Sequence, residues 1–179
     1  MSVAADSYVS VTLREDEQGT VSLDCRLWGK EKGLPRPYPV ICHLMDTAAV
    51  FLVLWQTVLG ERERGRLADA LGLAQEEARD VLAFWAGLHD LGKISPPFQQ
   101  QVPWAFEPVR RDPAYRSAPG AEREREFRHE MATHWALARL LDDVGYPGHR
   151  LPRLAVSHQV AQLLGGHHGR FGAVLSMKE

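Results

Sequence analysis

The sequence predicts a mostly α-helical fold preceded by a short β-hairpin, and three observations carry that reading. Between Gln75 and Leu91, apolar residues fall at Ala78, Val81, Leu82, Trp85 and Leu88, the three-and-four spacing of one buried helix face. The run "TAAVFLVLW" at 47–55 is almost continuously apolar, as in a core helix. By contrast, "YVSVTL" at 8–13 alternates with period two, "REDEQG" turns, and "TVSL" at 20–23 resumes the extended pattern.

Taken in order, residues 1–26 form an N-terminal hairpin extension and 27–179 form one helical domain. Pro35, Pro37 and Pro39 close the extended part, and a first helix runs from behind them to about Leu59. A second covers 64–71. The third runs from Gln75 to Leu91, with Gly92 placed to end it as a left-handed cap. From Ser95 to Gly120 the chain carries Pro96, Pro97, Pro103, Pro108, Pro113 and Pro119, which excludes a continuous helix. Loops of that length are usually functional or disordered. Helix resumes in "AEREREFRHEMATHWALARLLDDVG", whose alternating Glu and Arg supply solvated, ion-paired faces. A last helix starts near Pro152 and ends at Gly165 and Gly166.

Composition narrows the function classes. A chain of 179 residues suits one domain with a real core, and 45% hydrophobic with 25% charged residues excludes wholesale disorder. Five tryptophans favour a well-filled interior. The net charge of −2 provides no global basic field, so nucleic-acid contact would need a local groove. No secretory signal opens the chain, and the 47–55 run is short of the roughly 20 residues that span a bilayer. A cytoplasmic protein without membrane association is expected. Cys25 and Cys42 make no CxxC motif and are expected to stay thiols.

The chemistry concentrates in "LHDLGK" at 88–93. His89, four residues after Trp85, borders the buried face, and Asp90 lies one step of about 100° further round. A carboxylate at that interior edge is costly unless something compensates its charge. His43, His129, His167 and His168 also fall at element ends or turns. One such histidine alone is more often a satisfied structural residue, but the set suits a divalent metal such as Mn, Fe, Co, Ni or Zn, with the aspartate bridging two ions. Two ions about 3.5–4 Å apart can hold both an attacking water and phosphate oxygens. A zinc-protease reading of "HEMATH" at 129–134 fails, because its histidines are five apart and point about 140° away from each other on a helix. His134 instead reads as part of an apolar face with Trp135, Ala138 and Leu141.

In sequence order, "LWGK" at 27–30, "CHLMDTA" at 42–48, "LHDLGKISPPFQ" at 88–99, "RHE" at 128–130 and "GGHHG" at 165–169 resemble the HD-domain nuclease of the CRISPR-associated Cas3 proteins, within the HD phosphohydrolase superfamily. A lone HD dipeptide is weak, whereas the ordered series with its extended "HDLGKxSPxFQ" form is specific. The resemblance implies an HD-domain helical bundle. It further implies that His43, His89 and Asp90 bind one metal, that Asp90, His129, His167 and His168 bind a second, and that Lys93 contacts the scissile phosphate. A lysine there also complements a helix dipole, so the residue alone leaves both roles open. Asp46 reads either as an orienting partner of His43 or as a plain helix-start carboxylate.

The function implied is two-metal hydrolysis of phosphodiester bonds in single-stranded DNA, using up to two divalent transition ions (Mn, Ni, Co or Fe). Its partners would be a helicase and an RNA-guided surveillance complex. No GxxxxGK[ST] motif is present, so unwinding is assigned to another chain or a missing segment. Arg110, Arg111, Arg123, Arg125 and Arg128 are available for backbone phosphates, or form a solvated face. The rival readings are a phosphohydrolase of nucleotides or cyclic dinucleotides and a non-catalytic DNA- or protein-binding HD module. HD phosphohydrolases usually complete the first metal site with a downstream aspartate, and none occurs in the eleven residues after His168. A C-terminally truncated domain with an under-liganded first site, weak nuclease activity and homodimerisation is therefore expected.

Overall fold

The computed structural model describes residues 24–115 and 128–169. The fold is mostly helical with a short antiparallel strand pair at its N-terminal side, β1 (Trp28–Lys30) and β2 (Tyr38–Pro39). The hairpin strands expected at 8–13 and 20–23 lie outside the described residues, as does the 121–127 part of the charged helix.

Seven α-helices follow among the described residues: α1 (Val40–Thr57), α2 (Glu61–Leu71), α3 (Gln75–Leu88), α4 (Pro96–Gln99), α5 (Pro103–Phe106), α6 (His129–Asp143) and α7 (Val156–Gly165). Gly72 ends α2 at φ 66°, a left-handed cap that a residue without Cβ adopts freely. At the next helix start, the Glu77 carboxylate accepts the Ala74 N–H at 3.0 Å. Between Ser95 and Tyr115 the prolines act as initiators: Pro96, Pro103 and Pro113 each open a short helical turn, where their missing N–H is not needed.

The main core lies where α3 meets α6 and α7, with Trp85, Leu137, Leu141, Val160 and Ala161 packed together. A second cluster, Leu27, Val40, Leu44, Phe106 and Val109, joins the residue before β1 to α1 and to the end of α5, and Leu91 touches both clusters. Asp24, Arg26, Asp112 and Tyr115 tie the end of the proline-rich loop to the approach to β1. Arg26 donates to Asp24 and to Asp112 at 2.6 and 2.8 Å, and the Tyr115 hydroxyl donates to Asp24 at 2.9 Å.

Several expectations need correction. The helix expected to run from Gln75 to Leu91 stops at Leu88, and Gly92 is not a left-handed cap. It sits inside a 3-10 turn, Leu91–Ile94, and is not among the glycines with positive φ. Its lack of a side chain serves packing instead, since a Cβ there would collide with the His129 carbonyl oxygen and meet the Thr133 nitrogen at 2.5 Å. The core-helix reading of 47–55 holds for only one side of α1. Val40, Leu44 and Trp55 are buried, while Met45, Val50, Val53, Leu54 and Val58 are exposed. With 18 residues, a mean hydropathy of 1.5 and 22% of its length buried, α1 is by length and composition apolar enough to cross a membrane. Of the tryptophans, Trp28, Trp55 and Trp85 fill the interior, but Trp104 and Trp135 are exposed. Trp135 therefore leaves the apolar face assigned to it, which α6 builds from Leu137, Ala138 and Leu141.

Candidate metal centre

Asp90 is the second residue after α3, a helix that has turned its apolar face inward, and it is 4% exposed. The residues around it come from four directions. His43 stands on the first turn of α1, His89 directly follows α3, His129 begins α6, and His167 and His168 follow α7. Two close approaches hold these elements at the required distance. Gly92 lets the 3-10 turn dock on the first turn of α6, where its N–H donates to Thr133 Oγ1 at 2.8 Å. From the other side Gly165 of α7 presses on α6, where a Cβ would meet the Glu130 oxygen at 3.0 Å and His134 Cβ at 2.7 Å.

The two oxygens of Asp90 divide the histidines between them. Oδ2 lies 2.8 Å from His43 Nε2, 3.2 Å from His89 Nε2 and 2.7 Å from Lys93 Nζ. Oδ1 lies 3.1 Å from His129 Nε2 and 3.2 Å from His167 Nε2, while His168 Nε2 is 3.1 Å from His129 Nε2. Asp90, His129, His167 and His168 form one group, and His43, His89 and Asp90 another. Within each, one potential ligand atom per residue lies within 4.8 Å of the others. These are the two sets the resemblance implied, now in one place although His43 and His168 stand far apart in the chain.

Tautomers tell what this cluster is suited to hold. His89 Nδ1 is 2.9 Å from the Ala86 carbonyl and His167 Nδ1 is 2.7 Å from the Leu164 carbonyl. A carbonyl only accepts, so both Nδ1 atoms carry the proton and, in the neutral rings, both Nε2 atoms present lone pairs. Those lone pairs face the carboxylate oxygens of Asp90 at 3.2 Å, acceptor against acceptor. Asp90 Oδ1 is buried, and neither nearby imidazole meets it in hydrogen-bond geometry. Such an arrangement suits a cation between the facing lone pairs, and the N/O donor set fits a borderline divalent metal.

Burial alone would raise the Asp90 carboxyl, but His129, His89 and Lys93 outweigh it and hold the group far below the usual carboxylate range. Burial pushes His43 and His167 below their ordinary 6.5, with Asp90 opposing only in part, so both imidazoles are neutral and able to ligate near pH 7.

Other expected residues fare differently. Lys93 Nζ lies against Asp90 and within 3.3 Å of the Gly29 carbonyl, beside the cluster. Asp46 does not orient His43; it accepts a 2.5 Å hydrogen bond from the Tyr38 hydroxyl, which that bond pushes up to about 12. Arg128 is engaged with Glu130 at 2.5 Å. Arg110 lies 3.4 Å from Glu107 and is mostly exposed, and Arg111 is exposed. Arg123 and Arg125 lie outside the described residues. Sequence reasoning gave no role to Thr133 or Gln99, both fully buried. Gln99 closes the "LHDLGKISPPFQ" stretch, and its place in that motif was the available signal.

Comparison with known proteins places this geometry. Residues 28–178 match the family described as Cas3, HD domain. The CRISPR-associated endonuclease/helicase Cas3 of Thermus thermophilus is 36% identical over 143 residues, which cover 80% of this chain and 14% of that protein. The crystal structure of T. fusca Cas3 superposes with a TM-score of 0.73 at 38% identity, covering 88% of this chain and 16% of that one. A chain of a CRISPR RNA-guided surveillance complex in a pre-nicking state gives 0.73 at 39% identity, over 88% and 18%. The T. thermophilus Cas3 HD domain, solved in the presence of Ni2+, gives 0.56 at 32% identity, over 83% of this chain and half of that one. The chain belongs to the Cas3 HD-domain family. It spans about one-seventh of the length of the curated nuclease/helicase it matches.

Proposed function

We propose that the chain is a divalent-metal-dependent HD nuclease of a type I CRISPR system that hydrolyses phosphodiester bonds in single-stranded DNA. The observation that carries this reading is the pairing of imidazole lone pairs with the buried Asp90 oxygens at 3.2 Å, which a metal cation would resolve. A solved relative of the same HD family was determined with Ni2+, which supports a transition ion. Asp90, His129, His167 and His168 would hold one ion, and His43, His89 and Asp90 a second, less tightly because that group offers three ligands among the described residues and Lys93 competes for Oδ2. When bound, such ions supply Lewis acidity to water and to phosphate oxygens.

The protein's own groups account for the rest. Asp90 keeps its charge, the His43 and His167 imidazoles need no deprotonation, and the Lys93 ammonium offers a point charge to a phosphate that gathers negative charge during attack. His168 is exposed, whereas the His167 side chain is only 19% exposed, so the cluster reaches solvent at its His168 edge. An open rim suits a polymer better than a small nucleotide, and Arg110 and Arg111 are free to meet its backbone. A helicase and an RNA-guided surveillance complex are the proposed partners, as the names of the relatives suggest. The test is cleavage of labelled single-stranded DNA with Mn, Ni, Co, Fe, Mg or Zn, against a His89→Ala, Asp90→Ala double variant. Cleavage by the wild type alone, strongest with a transition ion, is expected. Metal binding without cleavage of DNA would move the reading to a nucleotide phosphohydrolase, and no metal binding to a non-catalytic module.

A further inference from the structure

Gln99, at the end of α4, is fully buried and uses its amide on two segments at once. Its Oε1 accepts the Trp28 N–H at 3.0 Å, and its Nε2 donates to the Trp28 carbonyl at 2.8 Å and to the Lys93 carbonyl at 2.7 Å. Its own main-chain oxygen accepts the Trp28 indole N–H at 3.0 Å. Both segments lead to the same ammonium. One is the backbone of Lys93 itself. The other is β1, whose Gly29 carbonyl accepts from Lys93 Nζ at 3.3 Å. The neighbouring Phe98 ring stacks on Trp28 at 4.6 Å and lies 5.7 Å from Nζ, completing the wall along which the lysine stem runs.

None of these Gln99 hydrogen bonds reaches His43, His89, Asp90, His129, His167 or His168, so the amide bears on the lysine and not on the candidate metal ligands. We infer that Gln99 is a positioning residue that fixes where the Lys93 ammonium points. A buried amide satisfied from both sides is rigid, whereas lysine carries several free rotors, so the glutamine supplies the order that the lysine lacks. The catalytic consequence rests on the nuclease reading above; the positional one does not.

The experiment uses the full chain with Gln99→Met, which keeps the volume and removes the hydrogen bonds, and Gln99→Asn, which keeps an amide but withdraws it by one methylene. Acylation of lysines by an N-hydroxysuccinimide ester, read by mass spectrometry, should show Lys93 reacting several-fold faster relative to Lys32 in both variants. Mn2+ affinity of the Asp90, His129, His167 and His168 group, whose oxygen Oδ1 Lys93 does not contest, should stay within about twofold by calorimetry, while kcat on single-stranded DNA falls about tenfold or more, as expected for a displaced charge. In a Lys93→Met background, adding Gln99→Met should change kcat by less than about twofold, because the group it positions is gone. If Gln99→Met does not fold, Gln99→Asn carries every arm. Unchanged Lys93 labelling, Mn2+ affinity falling in step with kcat, or a full additional loss in the Lys93→Met background would overturn the assignment. Should the wild type not cleave DNA, the nuclease reading fails and the labelling arm alone decides the positioning role.

Discussion

Asp90 concentrates most of the chemistry in one side chain, and its substitution is the most informative at the residue scale. Asp90→Ala should abolish metal binding in both groups, because each uses one of its oxygens. His43→Ala should weaken only one of them, and titration calorimetry with Mn2+ would separate the two patterns. Removing the carboxylate also strands Lys93, whose side chain is only 12% exposed, so the metal-free protein should lose about 3 kcal/mol or more in chemical denaturation. The pH dependence has a defined sign. His43 and His167 have folded values below 6.5, so the unfolded chain takes up protons first as pH falls, and their contribution, present above about 6.5, is lost below it. Asp90 acts in the same direction lower down, its contribution present above 3.8 and lost as pH falls toward its depressed folded value. Urea midpoints of the metal-free protein should therefore fall steadily from pH 7 to pH 4; a rise over that interval would show that these groups gain charge stabilisation instead.

At the scale of elements, α6 is held by contacts between small groups. Gly92→Ala would push a methyl into the first turn of α6, at a cost of about 1–3 kcal/mol, and would move His129 away from Asp90. Thr133→Val leaves the buried Gly92 N–H without an acceptor, costing about 1–3 kcal/mol with little change of shape. Both should lower metal affinity, measurable by calorimetry, without touching a ligand. These two residues also show where the sequence stopped being legible. His43, His89, Asp90, His129, His167 and His168 stood out because metal-ligating residue types at helix ends are distinctive wherever the chain folds. Gly92 was misread as a cap because a glycine after a helical pattern has a common local explanation, whereas its actual neighbour, Thr133, is 41 residues away. The prolines were rightly read as excluding a long helix. Their use as starting residues of short turns depends on φ alone and was open to the same reasoning.

For the molecule as a whole, hydropathy revealed how apolar α1 is but not which side it buries, since residues on both faces are of the same kind. The exposed Met45, Val50, Val53, Leu54 and Val58 support self-association as a proposal. Val50→Glu with Val53→Lys should make sedimentation monomeric while leaving the unfolding midpoint nearly unchanged. DNA binding should weaken with salt, because a chain of net charge −2 attracts a strand only through local cations. If Lys93, Arg110 and Arg111 each meet one phosphate, log affinity should fall with log salt at a slope of about −2. Salt-insensitive binding would point to base stacking, for which the exposed Trp104 and Trp135 are available.

The central claim is that the imidazoles and Asp90 form a divalent-metal centre, and anomalous scattering from Mn2+-soaked crystals tests it most directly. The account predicts one strong peak among Asp90 Oδ1, His129, His167 and His168, within about 2.0–2.3 Å of each ligand atom, and a weaker one among His43, His89 and Asp90 Oδ2. Crystals that bind Mn2+ elsewhere, or not at all, with the Asp90 cluster lacking any anomalous peak, would contradict it.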